Sequence, residues 1–333
     1  MSISENNIKK SILEKIDLEK VKTFQTINIY RSILDCLVIL FFYFFNFLTI
    51  TYFYKFNFYL FLIYIPFGAL INGIIFNWMN VQCHEASHNL LLNNRKLNDL
   101  FFDFSLGFWC LHDVEGYRAT HRNHHSKLHT NEDPDLWFYT EHKNYKNFFT
   151  VILKDIFGYS AVKRVFQSLK LKKDNSKKFK NLNNLFFKAL YQTLLFIFLF
   201  LSTKNIEISI LIYLTLQIFP LMCLYPILVR IRTIVQHYHP KLNSKKNELM
   251  WISRTTRSNL LGRIIFGGRM DYHFEHHIFP KIPYYKIKIL NDMLIEINFF
   301  DKKDEEDSFI TTSFFTFFYK LIKKQSLEIS SNK

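Results

Sequence analysis

The sequence predicts an all-α, polytopic membrane protein with four transmembrane helices in two hairpins and a cytoplasmic helical cap. Three observations predict this fold. Apolar residues make up 49% of the 333-residue chain, and Phe alone contributes 38 positions, whereas Gly contributes 8 and Pro 7. Four long stretches carry almost no charge, and Lys and Arg are concentrated between and around them. Long aromatic helices fit this composition better than a turn-rich β fold.

The first hairpin is predicted from two apolar runs separated by a very short connector. The run from Ile33 to Tyr54 is nearly uncharged, and as a helix it would be roughly 33 Å long, enough to cross a hydrocarbon core of about 30 Å. The run from Phe58 to Met79 follows at once. Together they enter and leave the bilayer.

The second hairpin is predicted from the runs Phe187 to Leu201 and Ile206 to Val229. The run Phe187 to Leu201 is short for a span, so we expect the membrane helix to include flanking residues. The run Ile206 to Val229 is long enough by itself. The stretch Leu100 to Leu111 is apolar but too short to cross. We expect it to form an interfacial or re-entrant helix instead of a fifth span.

The charge distribution sets the predicted orientation. The formal net charge is +15, and of the 43 Lys and Arg residues only Lys55 and Lys204 lie in the two hairpin connectors. This asymmetry predicts that both termini and the cap are cytoplasmic. It favours membrane lipid over nucleic acid as the partner of the basic charge. No secretory signal is apparent at the charged N-terminus.

Two charged segments and the cysteines have less specific interpretations. The basic segment Lys163 to Lys180 could lie against anionic headgroups, attract an acidic electron carrier or be a solvated linker. The acidic run Asp301 to Asp307 is expected to be peripheral. The four cysteines lack C-x-x-C spacing, which favours buried thiols over a disulfide framework or a zinc ribbon.

We interpret residues 1–333 as a single membrane domain. Its consecutive parts are an N-terminal cytoplasmic helix (1–32), the first hairpin (33–79), a cap region (80–186), the second hairpin (187–229), a second cap region (230–300) and a C-terminal tail (301–333).

Nine of the thirteen histidines cluster in the predicted cap. They are His84, His88, His121, His124, His125, His237, His273, His276 and His277. Helical spacings of three and four place side chains on one face, so each cluster can aim several imidazoles at one point. Eight or nine such ligands are too many for one ion, which predicts two metals in the cap. His112, His129, His142 and His239 stand apart and are expected to be ordinary core or surface residues.

One rival interpretation starts from the segment HEASH, which runs from His84 to His88. It matches H-E-x-x-H, the zinc site of metalloproteases in which Glu is the general base. Such a site needs three protein ligands and a water, so it leaves the other histidine clusters unused. An intramembrane zinc protease is therefore a remote alternative.

The clusters HEASH, HRNHH (His121 to His125) and YHFEHHIFPKIP (Tyr272 to Pro283) resemble the three histidine boxes of membrane fatty acid desaturases. The stretch Asp133-Pro134-Asp135 agrees with many members of that family. The resemblance implies that the eight box histidines bind iron. Arg232 to His237 is similar to the R-x-x-x-E-H pattern before the third box, which implies that His237 is a ninth ligand.

One position departs from that pattern, because Gln236 stands where the family usually has Glu. An amide cannot supply the carboxylate that would polarise an imidazole. Other carboxylates could take that role, although helix capping or a surface position is the expected state of each. These carboxylates are Asp113, Glu115, Asp133, Asp135 and Asp271.

The resemblance implies an oxygen-dependent lipid desaturase with a di-iron centre and O2 as co-substrate. A related di-iron lipid hydroxylase or carotenoid ketolase is the alternative, and a non-catalytic metal carrier or sensor is a third possibility. Electrons must come from outside, since the chain has no G-x-G-x-x-G, no C-x-x-C-H and no segment resembling cytochrome b5. The implied partners are a lipid or acyl-chain substrate, a ferredoxin or cytochrome b5-type donor, and membrane lipids.

Overall fold

The computed structural model describes residues 9–141, 145–171, 178–238, 253–267 and 270–299, with isolated positions between 310 and 323. These residues are almost entirely helical. The helices are α1 (Leu18–Phe24), α2 (Ile29–Phe56), α3 (Phe58–Ser87), α4 (Arg95–Phe102), α5 (Val114–Lys127), α6 (Leu136–Thr140), α7 (Tyr145–Ile156), α8 (Tyr159–Leu171), α9 (Lys178–Thr203), α10 (Ile206–His237), α11 (Leu260–Phe266), α12 (His273–Ile278) and α13 (Ile287–Glu296).

Four of these helices are long and apolar enough to cross a membrane, and this confirms the predicted all-α membrane fold. They are α2, α3, the Leu182–Thr203 part of α9, and α10. The third recruits flanking residues as expected. Within the described ranges, the stretch Leu100 to Leu111 is not among the candidate spans. It forms the end of α4 and a π-helical turn, Asp103–Gly107.

Two of the four helices are longer than their predicted spans. Helix α3 continues past Met79 to Ser87, and α10 continues past Val229 to His237. His84 therefore lies on the helix of the second span, and His88 caps the end of that helix. Each of these two membrane helices carries metal-ligand candidates at its C-terminal end.

Polar side chains connect the helices inside the apolar region. The Asn46 amide of α2 donates to the Gly68 carbonyl at 2.9 Å and to the Asn72 side-chain oxygen at 2.7 Å, both on α3. The Asn72 amide donates to the Leu216 carbonyl of α10 at 2.5 Å. Pro220 has no N–H to donate to that carbonyl, and α10 is π-helical at Tyr213–Ile218. Asn72 therefore donates to a carbonyl that lacks the i+4 N–H of a regular α-helix.

Gly73 lies where α3 and α10 approach closely. A Cβ at this position would be 2.9 Å from the Leu224 Cβ, and small residues allow this kind of contact between membrane helices. We expect Gly73→Ala to destabilise the protein by about 1–3 kcal/mol through overpacking, measured by thermal unfolding in detergent. Leu70→Ala, on the same helix but 54% exposed, is the control and should change stability little. Equal stability of the two variants would contradict the tight contact.

The N-terminal segment packs on the third histidine box. Ile12, Ile16 and Val21 are buried in one apolar cluster with Phe274 and Ile278 of α12. This cluster covers Phe274 and Ile278, the apolar residues of α12 besides its histidines. The N-terminal residues are thus part of the support for the box.

A small sheet, which the sequence analysis did not predict, also supports α12. Strands β1 (Thr255–Thr256) and β2 (Ile310–Thr311) are parallel, with Thr255 opposite Ile310. Thr255 also forms an antiparallel bridge with Tyr272, the residue before α12. The described end of the chain is therefore tied to the third box.

Part of the basic segment is folded onto the protein. Lys163 pairs with Glu141 at 2.6 Å and lies 3.9 Å from the centroid of the Trp137 ring, and Arg164 pairs with Asp135 at 3.3 Å. These two cations make intramolecular contacts, which the linker interpretation did not include. The acidic run Asp301 to Asp307 lies outside the described residues.

Candidate metal centre

Four helices bring the nine clustered histidines together. The last turn of α3 carries His84, and the second half of α5 carries the three of the second box. His237 is the last residue of α10, and α12 consists largely of the third box. Spacings of three and four residues place rings of one helix on the same side, whereas the members of the adjacent pairs His124/His125 and His276/His277 belong to different groups.

The nine histidines form two adjacent groups. In each group, one nitrogen per ring lies within 4.8 Å of the corresponding nitrogen of every other member. The first group contains five histidines, namely His84, His88, His121, His125 and His276. The second contains four, namely His124, His237, His273 and His277. The second and third boxes contribute to both groups, so the two sites share their supporting helices.

The Nε2 atoms converge at the distances expected of ligands around an ion. In the first group, the Nε2 of His121 lies 2.9 Å from that of His88 and 3.0 Å from that of His125. In the second, the Nε2 atoms of His237 and His273 are 2.9 Å apart. Two nitrogens that bind one ion at about 2.1 Å and subtend a right angle lie about 3.0 Å apart. The spacing therefore fits metal coordination.

The protonation state of the rings also suits metal binding. Burial and, to a smaller extent, the nearby Arg118 charge together lower the pKa of His88 to about 3. Burial and the neighbouring imidazoles hold the pKa of His121, His125 and His276 well below the ordinary value. Neutral rings keep a lone pair for a metal, whereas imidazolium rings would repel it.

One buried ring nitrogen points to a ligand other than protein. Among the described residues, His84 Nε2 has no hydrogen-bond partner. It belongs to a donor set composed of imidazole alone, which suits iron, zinc, copper or nickel more than magnesium or calcium. Because nine donors exceed the coordination number of a single ion, the residues fit two ions.

Glu85, inside the first box, orients the neighbouring ligand. Its Oε1 lies 3.3 Å from His84 Nδ1, and its Oε2 accepts the Tyr284 N–H at 3.0 Å. A hydrogen bond from Nδ1 leaves Nε2 of His84 as the coordinating atom. The H-E-x-x-H match predicted only a protease base at Glu85. The position of Glu85 directly after a histidine does not by itself predict this contact.

Asp133 orients His124, although helix capping or a surface position was the expected state of this residue. The carboxylate is buried, lies 2.9 Å from His124 Nδ1 and accepts the Tyr139 hydroxyl at 2.6 Å. Burial raises the Asp133 pKa, but the contacts with His124, Tyr139 and the Asp135 N–H together lower it below the usual value. Asp133 is therefore an ionised partner of a metal-ligand candidate.

The other carboxylates considered from the sequence have different roles. Asp113 caps α5 by accepting the Gly116 N–H at 2.8 Å, as expected, and Glu115 lies in the first turn of that helix. Asp135 pairs with Arg164. Asp271 was expected to be a cap or surface residue, but it is buried and accepts the Ser258 hydroxyl at 2.8 Å.

Gln236 has a role that a carboxylate could not perform. Its amide donates to the Met270 carbonyl at 2.7 Å, whereas a glutamate has no donor when ionised. The contact ties α10 to the segment that leads into α12. Glu275, a buried acid within α12, accepts from Thr255 and Asn291 at 2.6 Å each. Gln236 and Glu275 therefore both connect the region of the third box to other segments.

The remaining histidines do not join the two groups. His112 lies beside Tyr225, with ring centroids 5.8 Å apart, and His129 contacts the Tyr139 hydroxyl at 3.1 Å. Both are outside the groups found within the described part of the chain. His142 and His239 lie outside the described residues.

We expect Asp133→Asn to weaken metal binding about 10- to 100-fold, the usual loss when the partner of a ligating histidine is removed. The measurement is the metal retained per chain after competition with a graded chelator. Glu132→Gln is the control, because this neighbour forms only an exposed pair with Lys127. Metal retention equal to that of the unmodified protein would contradict the orienting role of Asp133.

The comparisons with known proteins agree with this geometry. The sequence model of the family described as Fatty acid desaturase matches residues 60–298, which is more than half of the 333-residue chain. This range contains all nine clustered histidines. No curated protein matches the chain.

Proposed function

Because the chain belongs to the fatty acid desaturase family, we propose that it is an oxygen-dependent fatty acyl or lipid desaturase that introduces a C=C bond into an unactivated acyl chain. One observation carries this proposal. Nine histidines from four separate segments meet in two adjacent groups at the ends of membrane helices. Family membership supports an oxidoreductase, and the donor set supports a metal-dependent one.

The two groups would hold two iron ions. The group of five, His84, His88, His121, His125 and His276, would bind one ion, and the group of four, His124, His237, His273 and His277, would bind the other. With dioxygen and electrons from a donor, the iron supplies the oxidising power to remove hydrogen from an unactivated methylene, which no side chain can do alone. Unequal ligand numbers leave more room for exogenous ligands at the second ion.

The chain's own residues hold and orient this centre. Glu85 and Asp133 accept from the Nδ1 atoms of His84 and His124, and so direct the Nε2 atoms inward. All nine histidine rings are largely buried, which keeps bulk water from the oxidising site. Placement of the acyl chain relative to the centre then decides between desaturation and oxygen insertion.

The remaining parts of the proposal concern sidedness and partners. Both termini and the metal site would face the cytoplasm, where a ferredoxin or a cytochrome b5-type protein could deliver electrons. The excess of Lys and Arg outside the two connectors supports this orientation and would attract an acidic donor.

Expression in a host with a matching ferredoxin, followed by gas chromatography of total lipids, tests the proposal. We expect new double bonds in cells with the unmodified chain and none with His124→Ala. Hydroxylated or keto products would identify the related hydroxylase or ketolase reaction instead. An unchanged lipid profile from a membrane-inserted, iron-loaded protein would overturn the proposal.

A further inference from the structure

A half-open cavity of about 480 Å³ lies between the N-terminal half of α2, the last turns of α3, helix α11 and the start of α13. Val38 and Ile39 on one side and Trp78 and Val81 on the other give it an apolar wall. It is separate from the histidine groups. Its lining belongs to the first two membrane helices and to the segments that flank the third box.

The cavity opens where lipid would contact the protein. Val38 and Phe42 line it and are 39% and 44% exposed on the first membrane helix. Helix α11, which supplies Ile264 to the lining, exposes Leu260 and Leu261. A short helix with such a face suits the boundary between headgroups and acyl chains. The mouth therefore lies between a membrane helix and an interfacial helix.

The rim of the cavity carries three exposed cations and two carboxylates. Arg31, Arg263 and Lys288 line it, and their side chains are 48%, 57% and 62% exposed. Lys288 pairs with Asp292 at 2.6 Å, whereas the arginines pair through Nε with the lining residues Asp35 at 3.3 Å and Asp271 at 3.5 Å. Exposed guanidinium groups at the membrane surface have the geometry and charge to bind a phosphate.

Gln82 lies deeper and requires a polar partner. It lines the cavity, is fully buried, and neither its amide nitrogen nor its amide oxygen has a hydrogen-bond partner among the described residues. An unsatisfied buried amide is costly unless a ligand or a water satisfies it. An ester carbonyl below a phosphate would accept from its NH2 group.

Tyr272 and Tyr284 separate the cavity from the metal centre. Both line the cavity, and both also border a void of about 10 Å³ that touches Glu85, His273 and His276. Such a void holds about one water and no acyl chain. These tyrosines must therefore shift before a chain in the cavity can approach the histidines.

We propose that this cavity binds the substrate as an intact glycerophospholipid taken from the leaflet on which the histidines lie. Arg31 and Arg263 hold the lipid phosphate, Gln82 donates to an ester carbonyl, and the acyl chain follows the apolar wall towards Tyr272 and Tyr284. This assignment rests on the proposed function and adds the substrate class. A coenzyme A thioester is less suited, because the mouth opens at the lipid boundary.

Photolabelling of the full-length, iron-loaded protein in detergent tests this assignment. The probe is a phosphatidylglycerol with a diazirine on its acyl chain, titrated and mapped by peptide mass spectrometry. We expect labels on the α2 and α3 wall of the cavity. The double variant Arg31→Gln/Arg263→Gln should raise the half-saturating concentration at least about tenfold, as loss of charge-assisted hydrogen bonds does. The matched control Arg95→Gln/Lys96→Gln, at exposed cations of α4, should not.

Gln82→Leu keeps the assignment testable if the arginine variant is unstable. It removes an amide without a protein partner, so it should leave thermal stability unchanged or higher while weakening the labelling. If Gln82 had only a structural role, Gln82→Leu would change thermal stability and leave the photolabelling unchanged. Labelling spread evenly over lipid-facing surfaces and unaffected by these variants would overturn the assignment.

The same acyl chain on coenzyme A and as a free acid distinguishes the substrate classes. Equal or stronger labelling of the cavity by either probe would overturn the phospholipid assignment. Iron content and desaturation in cells are measured separately. A protein that desaturates lipids but fails the labelling test refutes only this inference, whereas labelling without any desaturation refutes only the proposed function.

Discussion

His124→Ala is expected to abolish desaturation and to remove at least part of the bound iron. His124 belongs to the group of four histidines, and its Nδ1 is held by Asp133 at 2.9 Å. Loss of one of four ligands would weaken the second site, and loss of either ion would stop the proposed chemistry, which requires both. Activity is measured by gas chromatography of product lipids, and iron by plasma mass spectrometry of the purified variant.

His142→Ala is the control for this experiment, because His142 belongs to none of the clusters in the sequence. It should retain full iron and normal turnover. A purified His124→Ala protein with full iron and normal turnover would contradict the assignment of this histidine. A similar loss in both variants would show that the assay does not separate ligands from other histidines.

Asp155→Ala is expected to destabilise the protein by about 3–5 kcal/mol, the usual cost of removing one partner of a buried ion pair. Arg230 is fully buried and donates to Asp155 at 2.6 Å, to Ser160 at 2.7 Å and to the Phe138 carbonyl at 2.8 Å. Removal of the carboxylate leaves the buried guanidinium with a more distant carboxylate partner, Glu141 at 3.6 Å. The unfolding free energy in detergent is the measurement.

The pair also bears on the metal centre. Phe138 precedes Tyr139, whose hydroxyl donates to Asp133, so loosening α6 should also weaken metal retention. Asp292→Ala is the control, because Asp292 forms an exposed pair with Lys288, and such pairs contribute little. If the two variants unfolded at the same denaturant concentration, the buried pair would not have the stabilising role assigned to it.

The spans and the clustered histidines could be predicted from the sequence because each has a local signal. A run such as Ile33 to Tyr54 is apolar along its whole length, and helical spacing alone brings His121, His124 and His125 to one side. Convergence of the boxes followed from the predicted spans, since α3 and α10 carry His84 and His237 at their ends.

The partners of these histidines could not be predicted, since they depend on contacts between distant segments. Asp133 reaches His124 because the chain turns back after α5, and Glu85 meets the Tyr284 N–H across 199 residues of sequence. Neither contact has a periodic pattern. Gln236 was identified as a departure from the family, but its bond to the Met270 carbonyl required the fold.

The small sheet and the irregular geometry of helix α10 also could not be predicted from local sequence patterns. Strand β1 is two residues long and lies opposite Ile310, which is too short for alternation of apolar residues to show. In the π-helical part of α10, the Leu216 carbonyl accepts from Asn72 of α3. In both cases the stabilising partner lies far away in sequence.

The most direct test is an anomalous difference map, collected at the iron absorption edge, from crystals of the protein purified with its native metal. We expect two separate iron peaks, one among the Nε2 atoms of the group that contains His121 and one among those of the group that contains His237. A single peak, a peak outside both groups, or histidine rings directed to unrelated surfaces would contradict the two-metal centre.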